Sequence, residues 1–269
     1  MRIKIGYDIA FECPAETAMI LMLSIHPSRD RDLETPTTMY FDPQIPAREY
    51  TDRFGNICTR VVAPAGILRM HSEAIIRDSG LPDAVVPDAP QPPVDQLPDD
   101  TLEYLLASRY CEVDRLSDLA WSLFSSVAPG WTRVQAICDY VHERLTFSYA
   151  DARSTRTAYE GHEECLAVCR DFAHLAITFC RCMNIPARYC TGYLGDIGIP
   201  PVPDPMDFSA WFEVYLGDRW YTFDARHNIP RIGRILMARG RDAADVALST
   251  SFGPNRLANF QVVTDELPQ

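Results

Sequence analysis

Three short stretches carry residues whose types could do covalent chemistry. "VCRDFAHLAITFCRC" sets Cys169 beside the start of an apolar helical pattern, "DFSAWFEVYL" carries Ser209, and "RWYTFDARHN" carries Asp224. A thiol at a helix N-terminus meets free backbone N–H groups and the positive end of the helix dipole. Both lower its pKa, and the thiolate is the nucleophile. The same N–H groups could hold an oxyanion. On position alone, a small buried cysteine without chemistry is the commoner case. Cys180, Cys182 and Cys190 lie inside apolar segments and read as packing residues.

A nucleophilic cysteine needs a base, and the base needs an orienting carboxylate. "AWFEVYLGDRWYTFDA" reads as a hairpin with Gly217-Asp218 in a two-residue turn, pairing 216 with 219, 215 with 220, 213 with 222 and 211 with 224. Ser209, Trp211, Glu213 and Tyr215 then share a face with Trp220, Thr222 and Asp224. Position 209 becomes a diagonal neighbour of Asp224, roughly 7–8 Å away at Cα. That face is expected to turn toward the start of the Cys169 helix, with Phe212, Val214, Tyr221 and Phe223 packed on the outer face. A histidine at 209 would donate a hydrogen bond to Asp224 and offer its other nitrogen to Cys169. Serine cannot act as that base.

The elements that must position these residues fall into two halves. Ile3, Ile5, Tyr7, Ile9 and Phe11 alternate as in a half-buried strand, Met19 to Ile25 is a second strand-like run, and "YTDRFGNICTRVV" reads as a hairpin turning at Gly55-Asn56. Residues 81–100 hold six prolines, no aromatic residue and an acidic bias, which favours an extended linker. The expected division is a β-rich unit over 1–100, ending in that linker, and a core over 101–269. Helical periodicity follows in "DDTLEYLLASRYC", "LSDLAWSLFSSV" and "WTRVQAICDYVHERL", and again after Cys169, where Phe172, Leu175, Ala176 and Phe179 make one stripe ending before Pro186. A strand over 189–193, a Pro/Gly/Asp loop and the hairpin come next, and the tail is expected to return with a strand or two.

These residues resemble the bacterial transglutaminase-like cysteine protease family. Cys169 in "AVCRDFAHLAITFCRCMNIPARYCTGY" is similar to the family's nucleophile at a helix start, followed by its "IPAR-x-x-x-GY" segment. "AWFEVYLGDRWYTFDA" is similar to the two strands that end on the triad aspartate, here Asp224. The resemblance implies an α+β fold: a papain-like or transglutaminase-like core of helices packed on an antiparallel sheet, preceded by a β-sandwich-like domain. It also implies acyl transfer through a thiol on a peptide or protein substrate. The departure is Ser209, where the family carries its catalytic histidine directly before Ala-Trp. The resemblance therefore leaves two readings: a thiol enzyme of impaired activity, or a non-catalytic protein that keeps the cleft for peptide binding.

Other histidines could substitute. His162 lies seven residues before Cys169 in an irregular stretch and is the candidate substitute base. His227 falls by parity with Tyr221 and Phe223 on the opposite face if the strand continues. His174 is some 140° around the helix from Cys169. His162, Cys165 and Cys169 lack the paired spacing of a zinc site, so no metal is expected. No P-loop, dinucleotide fingerprint or Gly-x-Ser-x-Gly elbow is present, so no cofactor is expected.

The bulk numbers agree with a globular protein. The chain has 269 residues, 47% hydrophobic residues and a net charge of −12, which argues against a nucleic-acid or anionic-membrane partner. Nine cysteines without framework spacing, no secretion signal and no apolar run of membrane-spanning length point to free thiols in the cytoplasm.

Overall fold

The computed structural model describes residues 1–201 and 205–268, so positions 202–204 of the expected Pro/Gly/Asp loop lie outside the described residues. The first half contributes β1 (Arg2–Cys13), β2 (Thr17–Leu21), β3 (Tyr40–Asp42), β4 (Arg48–Thr51), β5 (Ile57–Ala63) and β6 (Gly66–Arg77). The second half follows with α1 (Val113–Phe124), α2 (Trp131–Arg144), β7 (Thr146–Phe147), α3 (Ala158–Glu164), β8 (Leu166–Ala167) and α4 (Cys169–Cys182). It closes with β9 (Ala187–Tyr193), β10 (Ser209–Leu216), β11 (Arg219–Phe223), β12 (Ile235–Gly240), β13 (Ser249–Ser251) and β14 (Arg256–Leu267).

The fold is α+β, with a β-rich N-terminal region and a helix-on-sheet core. Two four-stranded sheets, β14-β1-β6-β3 and β13-β2-β5-β4, enclose a core of Ile3, Ile5, Leu21, Leu68 and Ile76. The tail does return: β14 pairs along the whole of β1 and β13 pairs with β2. A cut at residue 100 therefore divides the chain in sequence but not in space. Tyr193, Phe208, Ile235 and Met237 join that same apolar cluster, so the two halves share core rather than hang on a hinge.

The third sheet, β11-β10-β9-β12, carries α4 on one face. α4 is buried from Asp171 to Cys182 although it carries Asp171, His174, Thr178 and Arg181, so its polar groups must find partners inside the core. Its Arg181 is a buried cation. The guanidinium donates to the carbonyls of Ala187, Leu106 and Arg241 and to Ser108 Oγ, tying the end of α4 to β9 and to the segments beside it. Gly192 in β9 sits where a Cβ would lie 2.0 Å from the Ile235 carbonyl oxygen, so only glycine lets β12 close against β9.

Three local expectations need correction. "DDTLEYL" forms a 3₁₀ helix over Asp99–Leu105, introduced by Pro98 and closed by an i→i+3 bond from Leu106 to Glu103. The Pro-rich stretch is a packed strap rather than a free linker. Pro82 bridges to Ile232, the Ala89 carbonyl accepts from Trp131 N–H, and the Pro90 carbonyl accepts from Gly217 N–H in the hairpin turn. Its prolines leave carbonyls free to accept while removing donors, so it can dock on edges without joining a sheet.

The third correction concerns the hairpin. Its register from 212↔223 to 216↔219 is as the turn dictates, with Gly217 at φ 60°. The faces are reversed: Ala210, Phe212, Val214, Tyr221 and Phe223 pack into the α4 core. The other face holds Trp220, which meets Tyr215 and Tyr104 edge to face and is covered by Arg188 of the Arg188–Glu213 pair. The more apolar alternate set must meet the apolar helix, and the set that can pair charges turns away.

Candidate active site

The start of α4 is pinned by one carboxylate. Asp171 accepts the Val168 N–H (3.0 Å) and the guanidinium groups of Arg156 (3.0 Å) and Arg170 (3.0 Å). This ion cluster fixes where Cys169 stands. The Cys169 sulfur is half-buried and lies beside β10, within reach of the Ala210 N–H, Arg226 and Asp207. Burial pushes the thiol up to about 11, and Asp207 adds to this. Arg226 and the N–H groups of Ala210 and Arg170 offset part of that rise. The resting state is the thiol, so the low-pKa thiolate expected of a helix start is not what this environment favours.

Ser209 opens β10 opposite Gly192, buried, and its Oγ has no hydrogen-bond partner among the described residues. It lines a small pocket together with Asp207, Arg226 and His227. The Arg226 guanidinium lies over the Phe147 ring at 3.9 Å.

Asp224 does not extend the strand. β11 ends at Phe223, so the expected 211–224 pair does not form. Asp224 Oδ1 accepts the N–H groups of Arg226 and His227, an Asx turn that curls the chain back on itself. The His227 ring is thereby brought to the carboxylate, with its Nδ1 2.8 Å from Asp224 Oδ2. This overturns the parity argument that sent His227 to the far face: alternation holds only while the strand lasts. The turn chemistry of an aspartate followed by "ARHN" was the readable signal for it.

Asp224 is nearly fully buried. Burial alone would raise its carboxyl pKa, but Arg234 and His227 more than reverse this and hold it well below the usual carboxylate range. An ionised carboxylate can only accept, so His227 Nδ1 carries the hydrogen and the neutral ring keeps its lone pair on Nε2. Arg234 bridges two carboxylates, donating from Nη2 to Asp224 (2.9 Å) and from Nε to Asp83 of the strap (2.8 Å). No sequence pattern marked Asp83, since an aspartate in a Pro-rich acidic stretch looks solvated.

His162 lies elsewhere in the core. It is buried in α3, with Nε2 2.9 Å from Tyr140 Oη, Nδ1 3.3 Å from Glu163 and its ring edge-on to Phe179. With both nitrogens engaged it is poorly placed to serve Cys169. Among the described residues, no group of three or more His, Cys, Asp or Glu side chains is set to hold a metal, and no helix is long and apolar enough to cross a membrane.

Comparison with known proteins agrees with this architecture. The family model of the Transglutaminase-like superfamily matches residues 118–225, a span that contains Cys169, Ser209 and Asp224. The solved structure of a candidate cysteine protease from Cytophaga hutchinsonii is 30% identical, with a TM-score of 0.86 over 100% of this chain and 91% of that one. An uncharacterised protein of Mycobacterium leprae (strain TN) is 25% identical over 212 residues, which cover 76% of this chain and 75% of the relative.

Proposed function

The chain belongs to the transglutaminase-like superfamily, and from that premise we propose that it is a thiol acyl-transfer enzyme, a cysteine peptidase or amidase. Its nucleophile is Cys169, and its base has moved from position 209 to His227. The observation that carries this reading is the 2.8 Å contact between His227 Nδ1 and Asp224 Oδ2. It reproduces the base–carboxylate pair of a thiol triad beside a serine that cannot take a proton.

With the thiol up at about 11, roughly one molecule in 10⁴ would hold a free thiolate at pH 7. Attack therefore needs proton transfer in the same step. Cys169 Sγ bonds to the carbonyl carbon of a peptide or isopeptide amide while its proton passes to His227 Nε2. The oxyanion is held by N–H groups at the start of α4. Imidazolium then protonates the departing amine, leaving a thioester that water or a second amine resolves. Asp224 keeps the ring in the correct tautomer and stabilises the imidazolium, while Arg234 and Asp83 keep Asp224 ionised and in place. Ser209 presents a hydroxyl to the same pocket and takes no proton.

One observation favours a second reading, a non-catalytic peptide-binding protein that keeps the cleft: the raised Cys169 thiol beside an imidazole-free position 209. Turnover of a panel of short peptides and amides, followed by mass spectrometry, separates the two. The enzyme reading expects product that disappears in Cys169→Ala and falls at least a hundredfold in His227→Ala, with Ser209→Ala near the unaltered rate. Saturable peptide binding with no product, unaffected by Cys169→Ala, would instead support the binding protein.

A further inference from the structure

Behind the hairpin, on the face turned away from α4, the strap and the segment before β12 enclose a cavity of about 310 Å³ whose wall includes Arg29, Arg231, Arg234 and Arg239. We propose that this cavity is a binding site for an oxyanion, a carboxylate or phosphate group held by Arg231, Arg234 and Arg239.

Counting partners leads to this site. The carboxylates on the wall are already engaged. Asp78 meets Arg29 (3.4 Å) and the Gly80 N–H (2.9 Å). Asp83 takes Arg234 and the Arg231 N–H, and Glu213 takes Arg188 (2.6 Å). Arg29 is matched by Asp32 and Asp78. Neither Arg231 nor Arg239 forms a direct ion pair with a carboxylate of the wall; Arg231 feels Asp224 and Asp196 at longer range. Arg231 is 2% exposed and donates one N–H to the Gly195 carbonyl, which is neutral.

Two buried cationic N–H groups also lack an acceptor among the described residues: Arg231 Nε and Arg234 Nη1. Buried donors are nearly always matched, and those on charged groups are the costliest to leave open. Water could fill the hydrogen bonds but not the charge. Burial and the neighbouring Arg234 weigh against the Arg231 cation and outweigh the attraction of Asp224 and Asp196, and an anion in the cavity would offset the deficit. The volume admits a phosphate or a small carboxylate together with water, and a planar guanidinium fork suits either group's paired oxygens. Neither Cys169 nor Ser209 is on this wall, but Arg234 also pairs with Asp224 and Arg231 also lines the pocket of Ser209 and His227, so the site adjoins the proposed triad from behind.

The test is titration calorimetry on the full chain at constant ionic strength, with inorganic phosphate in one arm and succinate in the other. Saturable one-to-one binding of either probe is expected, with a matching rise in melting temperature. Arg239→Gln should weaken it at least tenfold, and Arg239→Lys should recover part of the loss. Arg239 is only half-buried and contacts Asn56 through its backbone, so the ligand-free melting temperature of both variants should hold. Phosphate alone, succinate alone or both would define the ligand class. Absence of saturable binding in both arms, or an affinity indifferent to Arg239→Gln, would overturn the proposal and leave the cavity to water.

Discussion

His227 Nδ1 stands 2.8 Å from Asp224 Oδ2, although Asp224 is the residue at which β11 has already stopped. The Asx turn makes that contact possible, because Asp224 uses one oxygen to bend the chain and the other to receive the ring. One carboxylate thus builds the loop and orients the imidazole. Substituting it should disturb both.

Asp224→Asn should therefore lower turnover by two to four orders of magnitude, since an amide no longer dictates the His227 tautomer. It should also change the acid limb of stability. The folded-state pKa of Asp224 is depressed, so its contribution is fully present above the unfolded value near pH 4 and is lost as pH falls through the folded one. Acid unfolding below about pH 4 should be flatter in Asp224→Asn, as followed by circular dichroism against pH.

Alkylation of Cys169 by iodoacetamide should climb with pH toward a midpoint near 11. Removing the charge of Asp207 removes a group that opposes the thiolate, so Asp207→Asn should move the midpoint down. Arg226→Gln should move it up. Peptide mapping by mass spectrometry reads Cys169 separately from the other eight thiols, of which only Cys165 is also partly exposed.

Arg181 is a buried cation satisfied by carbonyl and hydroxyl oxygens. Arg181→Ala strips those oxygens of their donors and leaves a void, so it should cost about 3 kcal/mol or more of folding stability. Urea unfolding measures this directly; a loss below about 1 kcal/mol would show that the network re-forms with water.

Much of the scaffold was legible because it rests on periodicity. The β1 alternation, the α4 stripe from Phe172 to Phe179 and the hairpin register around Gly217-Asp218 all follow from spacing and turn residues. Which hairpin face meets α4 was legible in the same alternation, since Phe212, Val214, Tyr221 and Phe223 form the apolar set and Glu213 lies on the other; the expectation that Ser209 and Asp224 face the helix overrode it. The placing of Cys169 at the start of α4 and of Asp224 just past β11 was legible, each beside a recognisable element boundary. His227 and Asp83 escaped because they reach the site through a turn and a strap, where side-chain direction obeys no period. Asp83 contacts Arg234 across 151 residues, a separation that no local pattern reports.

The central claim is that His227 receives the Cys169 proton. Its most direct measurement is pre-steady-state acylation by p-nitrophenyl acetate at pH 7, with the acetyl group located by mass spectrometry. The account predicts one acetyl on Cys169, a rate reduced by 10²–10⁴ in His227→Ala with the fold intact, and a rate within about tenfold of the unaltered protein in Ser209→Ala. Equal acylation rates in His227→Ala and the unaltered protein would contradict it.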